Sequence, residues 1–296
     1  MKRWKEQGNE DMAELYSQET IRDIKNRYGF RLTKSLGQNF LTDSSIIQKI
    51  IEGSGIGSGD TVIEIGPGIG VITREAAEAA DEVIAVEIDK QLIPILEETL
   101  AGYDNVRVLN QDILKTDINM LTEGKEREHV KIIGNLPYYI TTPIIMKLLE
   151  DGVKASAITI MMQKEVADRI KASPGGKDYG AISVAVQYYC DVEKVTDVPR
   201  DVFVPQPKVD SAVLKLTLKE KNTAEPEDSE LFFQCVKAGF GQRRKTLLNS
   251  LSGVRGMDKE EIRGILAEAG IDPSRRAETL SISEFADIAD IMGRRP

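Results

Sequence analysis

The segment Asn135-Leu136-Pro137-Tyr138 joins two hydrogen-bond acceptors, a residue that stiffens the chain and an aromatic ring within four positions. That combination suits methylation of an amine. The N6 nitrogen of adenine delocalises its lone pair into the ring and is a poor nucleophile. If the Asn135 side-chain oxygen and the Leu136 backbone carbonyl each accept one N6–H, the nitrogen can pyramidalise and aim its lone pair at an electrophilic methyl group. No strong base is then required. Pro137 fixes its own φ and restricts Leu136, which holds that carbonyl in place, and Tyr138 can stack on the base. Positioning and electrostatics would supply the rate. A second aromatic candidate is Phe203, in the proline-flanked stretch Asp201-Val202-Phe203-Val204-Pro205-Gln206-Pro207. A rigid loop there would form the other wall of a base pocket, as enzymes acting on an extruded base require. On its own that stretch reads as ordinary loop packing.

The segment Val62-Ile63-Glu64-Ile65-Gly66-Pro67-Gly68-Ile69-Gly70 reads as a buried strand feeding a glycine-rich turn that opens a helix. Such a turn binds a cofactor, because glycines let a ligand approach the main chain and the helix start offers free N–H groups. A dinucleotide fingerprint counted from Gly66 needs its third glycine at position 71, which is Val71, so NAD is disfavoured. The next strand ends at Glu87, placed to accept hydrogen bonds from ribose hydroxyls. Asp112 follows the third strand, where an adenine amino group could find an acceptor. Together these three positions resemble the nucleoside site of the Rossmann-like, class I methyltransferases that use S-adenosylmethionine.

Such a site needs a sheet to carry it. Thr61–Ile65, Val83–Glu87, Val106–Asn110, Val130–Gly134 and Ile158–Met162 are short, apolar, largely β-branched runs, alternating with helix-like stretches such as Val71–Ala80 and Lys90–Ala101. That rhythm predicts an α/β, doubly wound sheet. Ala181–Tyr189 and Ser211–Leu218 read as two more strands that finish it. Asn222–Glu230 has the composition of a solvated linker, and beyond it apolar residues recur at helical spacing, as in Phe232/Val236/Phe240. The expected organisation is an N-terminal arm (1–33), a methyltransferase domain (34–222) and a small helical domain (223–296), which the family resemblance described below implies is RNA-binding.

Composition narrows the classes further. The chain has 296 residues, 41% hydrophobic and 29% charged, which is ordinary for a globular protein. No apolar run approaches the ~18 residues of a membrane span, and the start has no signal-peptide core, so a cytoplasmic protein with no membrane association is expected. His129 is the only histidine, which makes a Ser-His-Asp or Cys-His system improbable. Cys190 and Cys235 belong to no metal-ligand cluster, so no metal is expected.

Five blocks together resemble the small-subunit (16S) ribosomal RNA adenine dimethyltransferases: Gly37-Gln38-Asn39-Phe40-Leu41, Glu64–Gly68, Asn135–Tyr138, Val202–Ala212 and Phe240-Gly241-Gln242-Arg243-Arg244-Lys245-Thr246-Leu247. The resemblance runs from about Lys34 to Phe285. It implies that Asn39 and Leu41 border the methionine part of S-adenosylmethionine, joining Gly66, Glu87, Asp112 and Asn135. It also implies transfer of two methyl groups to N6 of each of two adjacent adenines in a hairpin near the 3′ end of the small-subunit ribosomal RNA, during ribosome biogenesis. A single-stranded loop suits that chemistry, since unstacked bases are splayed out at small cost.

The net charge, 39 basic against 48 acidic residues or −9, has the wrong sign for RNA. Its distribution reconciles the two. Residues 20–40 carry Arg22, Lys25, Arg27, Arg31 and Lys34 against Asp23, and residues 237–249 carry Lys237, Arg243, Arg244 and Lys245 with no acid. Arg243, Arg244 and Lys245 are the expected RNA contacts. The rival readings are a large-subunit adenine methyltransferase of the resistance type, against which the Arg-Arg-Lys block argues, and an assembly factor in which catalysis is secondary. A small-molecule methyltransferase would not need two basic segments. Nothing suggests an obligate dimer, so a monomer is expected.

Overall fold

The computed structural model describes residues 15–29, 37–242 and 244–295. Its contacts divide the chain into two compact units. One holds the residues up to Lys164 with Glu193–Thr217, and the other holds Glu165–Val192 with the residues from Leu218 onward.

The described strands, in chain order, are β1 (Phe40–Leu41), β2 (Thr61–Ile65), β3 (Glu82–Glu87), β4 (Val106–Asn110), β5 (Val130–Asn135), β6 (Ala157–Gln163), β7 (Cys190–Val198), β8 (Phe203–Val204) and β9 (Ser211–Leu218). Seven of them form one sheet in the order β4-β3-β2-β5-β6-β9-β7. The chain moves outward from β2 through β3 to β4, then returns to lay β5 on the other side of β2. Strands β2 to β6 are parallel, and β9 runs antiparallel to β6. All five residues of β2 are buried, which is why its sequence is a continuous run rather than an alternation. The reversal of strand order between β3 and β5 opens a crevice at the carboxyl end of β2, where ligands bind in sheets of this kind.

The first unit adds helices α1 (Gln18–Arg27), α2 (Ser44–Ser54), α3 (Val71–Ala79), α4 (Ile93–Thr99), α5 (Ile118–Leu121) and α6 (Thr141–Glu150). Ile46, Ile47 and Ile50 of α2, Ile72 and Ala76 of α3, and Ile95 and Leu96 of α4 share a core with Val62, Val83 and Ile133 of the strands. Asp43 caps α2 by accepting from the Ser45 and Ile46 N–H groups. Within the expected N-terminal arm, residues 15–29 are described and contain α1. Ser17 caps α1, and Leu15, Ile21 and Ile24 are buried in the same core.

The second unit contains α7 (Lys164–Lys171) from its second residue on, α8 (Ala181–Tyr189), α9 (Ser229–Gly241), α10 (Leu247–Ser250), α11 (Lys259–Glu268) and α12 (Ile282–Gly293). Residues 181–189 are therefore a helix, where a strand was expected, and the strand is the following Cys190–Val198. Val184 and Tyr188, one helical turn apart, are buried in one cluster with Leu231, Phe232 and Val236. The Tyr188 ring stacks on Phe232 with centroids 5.0 Å apart. Packing against aromatic neighbours settles an apolar pattern that sequence leaves ambiguous between the two periods. The same cluster explains why residues 165–192 group with the C-terminal helices, so that the compact units do not follow the linear boundary expected at 222/223. Cys190 and Cys235 are both buried as thiols.

Candidate active site

A cleft of about 120 Å³, partly open to solvent, lies at the carboxyl end of the sheet. It is lined by Asn39, Leu41, Gly66, Glu87, Asp112, Asn135, Leu136, Tyr138 and Phe203, so every expected cofactor and catalytic residue of the first unit borders one space. These residues come from segments up to 164 positions apart (39 to 203), and the sheet topology gathers them.

Gly66 follows β2 directly, with φ +69°, in the left-handed region that favours glycine. A Cβ built on Gly66 would meet nothing within 4 Å, so the main chain there is open to a ligand. Gly68 is constrained differently: it has φ +64°, and its Cβ would stand 3.2 Å from the Phe40 ring, so any side chain there would have to push the ring aside. The α3 helix starts at Gly70 with no side-chain cap, leaving its first N–H groups for a ligand.

Glu87, at the end of β3, is 5% exposed. Its Oε1 accepts from the Asp89 N–H at 2.8 Å and its Oε2 from the Gly68 N–H at 3.4 Å. Burial outweighs these bonds and pushes its pKa up to about 7. Glu64, in the middle of the glycine-loop strand, is flanked across the sheet by Ala85 and Ile133. Its Oε2 is buried with no hydrogen-bond partner among the described residues, and burial raises its pKa to about 8. Glu64 also lines the cleft. Asp112 caps a short 3-10 turn by accepting from the Leu114 N–H at 3.0 Å. The β3 end is tied to the entry loop by Gln38, whose Nε2 donates to Asp89 at 2.8 Å.

At the other end of the cleft, β1 pairs antiparallel with β8, matching Leu41 with Phe203 and Phe40 with Val204. The Thr42 N–H and hydroxyl both donate to the Val202 carbonyl, at 2.8 and 2.9 Å. The proline-flanked stretch is thereby a strand fastened to the Asn39 segment, and Phe203 is only 3% exposed. Asn135 Nδ2 donates to the Asn39 carbonyl at 3.1 Å. A carbonyl can face only the amide's NH2 group, so this contact sets the side chain's orientation and leaves Oδ1 as an acceptor. The Pro137 carbonyl accepts from the Ile140 N–H at 3.1 Å and from the Thr141 hydroxyl at 3.1 Å, which closes the turn after the motif. Tyr138 and Ser211 share a hydroxyl–hydroxyl bond of 2.7 Å that fixes the Tyr138 ring, and burial raises the tyrosine's pKa.

Three features were not legible in the sequence. Gln38 and Asp89 are 51 positions apart, and the Asn39 carbonyl acts through its backbone, so neither carries a local signal. Glu64 lies in the glycine-loop strand, and the one signal it gave was its charge among otherwise apolar neighbours. Among the expected RNA contacts, Arg244 and Lys245 are exposed in the second unit, and Arg243 lies outside the described residues. His129 contacts Asp60 at 3.3 Å and does not line the cleft.

The cleft fits S-adenosylmethionine by its own chemistry. It offers an open glycine backbone, carboxylates for hydroxyl and cationic groups, and an unpartnered buried carboxyl oxygen. Comparison with known proteins agrees. The ribosomal RNA adenine dimethylase family matches residues 29–292. A ribosomal RNA small subunit methyltransferase A from Clostridioides difficile is 53% identical over 96% of this chain and 99% of its own. One from Alkaliphilus oremlandii is 50% identical over 96% of this chain and all of its own. Among solved structures, a dimethyladenosine transferase from Plasmodium falciparum superposes with a TM-score of 0.72 at 27% identity, over 84% of this chain and 95% of that one. The 23S ribosomal RNA methyltransferase ErmE follows with 0.65 and 28%, over 86% and 100%. The chain belongs to the ribosomal RNA adenine dimethylase family, methyltransferases of ribosomal RNA that use S-adenosylmethionine.

Proposed function

We propose that this enzyme converts two adjacent adenines, in a hairpin near the 3′ end of the small-subunit ribosomal RNA, to N6,N6-dimethyladenosine. The observation that carries this reading is the Asn135 amide, which is held with its oxygen free to accept an N6–H. Relatives at half identity or more that bear the small-subunit name support the choice of RNA.

S-adenosylmethionine supplies an electrophilic methyl group on a sulfonium centre. In the proposed arrangement Glu87 holds the ribose hydroxyls and Asp112 the adenine amino group. Asn39 and Leu41 border the methionine part, and the Gly66 backbone admits it. Asn135 Oδ1 and the Leu136 carbonyl accept the two N6–H bonds of the target adenine, drawing the nitrogen out of conjugation. Tyr138 and Phe203 flank the base. After the first transfer one N–H remains to be held in the same way, and rotation about C6–N6 presents it again. The proton lost at each step passes to solvent after the N–C bond has formed, so no side chain with a tuned pKa is required at this end. Arg243, Arg244 and Lys245 contact phosphates of the subunit RNA, and the enzyme works as a monomer in the cytoplasm.

A second reading, methylation of large-subunit RNA, is favoured only by the likeness to ErmE. Competition separates the two. Offered unmethylated small and large subunits together, the enzyme is expected to place labelled methyl groups in the small-subunit RNA. Label confined to the large-subunit RNA would replace this reading with the second.

A further inference from the structure

Among the described residues the exposed large apolar side chains are Ile88, Leu114, Met120, Tyr139 and Val209, and Tyr139 is the one aromatic among them, at 58% exposure. It lines the same cleft as Tyr138 and Phe203. The two consecutive tyrosines have different roles in the turn closed between the Pro137 carbonyl and the Ile140 N–H. Tyr138 is half-buried and tied through its hydroxyl to Ser211. Tyr139 makes no hydrogen bond with a described residue. Its ring lies beside Gly37, which has φ +59°, and a Cβ built there would be 3.7 Å from ring atoms Cδ1 and Cε1. The ring thus lies within van der Waals reach of this stretch of main chain on one side, while more than half of the residue stays exposed.

We infer that Tyr139 is a stacking platform for the nucleotide next to the adenine being methylated. Drawing one adenine into the pocket strips its neighbour of a stacking partner. A ring held at the mouth of that pocket by a closed turn replaces the lost contact, and any base can use it because every base has a π-face. Two adjacent target adenines would use the platform in turn, each serving as neighbour while the other is in the pocket. The inference rests on the proposed RNA substrate and makes Tyr139 a positioning residue.

The test uses the full-length enzyme and small-subunit RNA whose flanking adenine is either intact or replaced by an abasic residue. Tyr139→Ala is expected to raise KM for intact RNA about 10-fold with kcat changed less than about 2-fold, the pattern of lost uniform binding. Tyr139→Phe should match wild type, because stacking needs the ring and not the hydroxyl. The abasic substitution should raise KM for wild type by a similar factor and add little in Tyr139→Ala. Additive effects of the two changes, an unchanged KM, or a loss located in S-adenosylmethionine affinity would overturn the inference. Wild-type enzyme that leaves intact small-subunit RNA unmethylated would instead sink the proposed substrate.

Discussion

The two ends of the cleft are built from opposite materials. The glycine-loop end carries two buried carboxyl groups, Glu64 and Glu87, both with raised pKa values. The other end, around Asn135, Leu136, Tyr138 and Phe203, presents amide, carbonyl and aromatic groups and, among the described residues, no charge of its own. The difference follows from what each end must hold. A cofactor with hydroxyl and cationic groups rewards carboxylates. A neutral, weakly nucleophilic amine needs well-placed acceptors that do not compete for a full proton. One end is therefore expected to be sensitive to pH and the other to geometry.

The largest effect should come from Asn135→Ala. Removing one of the two acceptors is expected to lower kcat by about 10²–10³. Affinity for S-adenosylmethionine, read by calorimetry, should fall by less. A larger loss in affinity than in kcat would place Asn135 at the wrong end of the comparison.

Next in size is Glu87→Gln, which should weaken S-adenosylmethionine binding by about 10–100-fold, as for hydrogen bonds to a charged group. It should leave kcat at saturation nearly unchanged. Burial pushes the Glu87 pKa up to about 7, so the acceptor form populates as pH rises through that value. Wild-type affinity should therefore increase between pH 6 and 8, over a window of about one unit either side of that value, and the variant should lose the increase. A flat wild-type profile would contradict this role.

Glu64 yields a stability prediction. Its pKa moves from 4.5 to about 8 on folding, so the folded protein binds more protons between those values. Stability of the cofactor-free protein should then fall as pH rises from 4.5 towards 8, by on the order of a few kcal/mol at most. Thermal melts of Glu64→Gln should lack that slope and exceed wild type at pH 8. Parallel melting curves for the two proteins across that range would show that Glu64 is not held protonated.

The smallest effect is expected from Tyr138→Phe, which removes the 2.7 Å bond to Ser211 and keeps the ring. A loss of about 2–10-fold in kcat/KM is expected, the worth of one neutral hydrogen bond. A loss comparable to that of Asn135→Ala would mean that the hydroxyl itself does chemistry.

Much of the first unit was legible in the sequence because its signals are local. Thr61–Ile65 and Val106–Asn110 have the bounds expected of them, as β-branched runs whose neighbours break the pattern. The glycine turn and the Asn-Leu-Pro-Tyr turn are likewise contiguous. The helical half was less legible where tertiary packing decides. Ala181–Tyr189 has enough apolar residues to satisfy either period, and Tyr188 stacking on Phe232 settles it. The α1 helix was missed despite a serine cap and the Ile21/Ile24 spacing, because its overall polarity masked a short apolar stripe. Phe203 was expected on a loop and lies in a strand, since only the fold brings it opposite Leu41. The contact that orients Asn135 joins positions 96 residues apart through a backbone carbonyl, which no side-chain pattern announces.

The central claim is that neutral acceptors at Asn135 and Leu136 present an adenine N6 for two successive methyl transfers. It is tested most directly by digesting small-subunit RNA to nucleosides after reaction with labelled S-adenosylmethionine, using wild type and Asn135→Ala side by side. The account predicts N6,N6-dimethyladenosine from wild type and at most traces from the variant at equal cofactor saturation. Full dimethylation by Asn135→Ala, or label in any nucleoside other than adenosine, would contradict it.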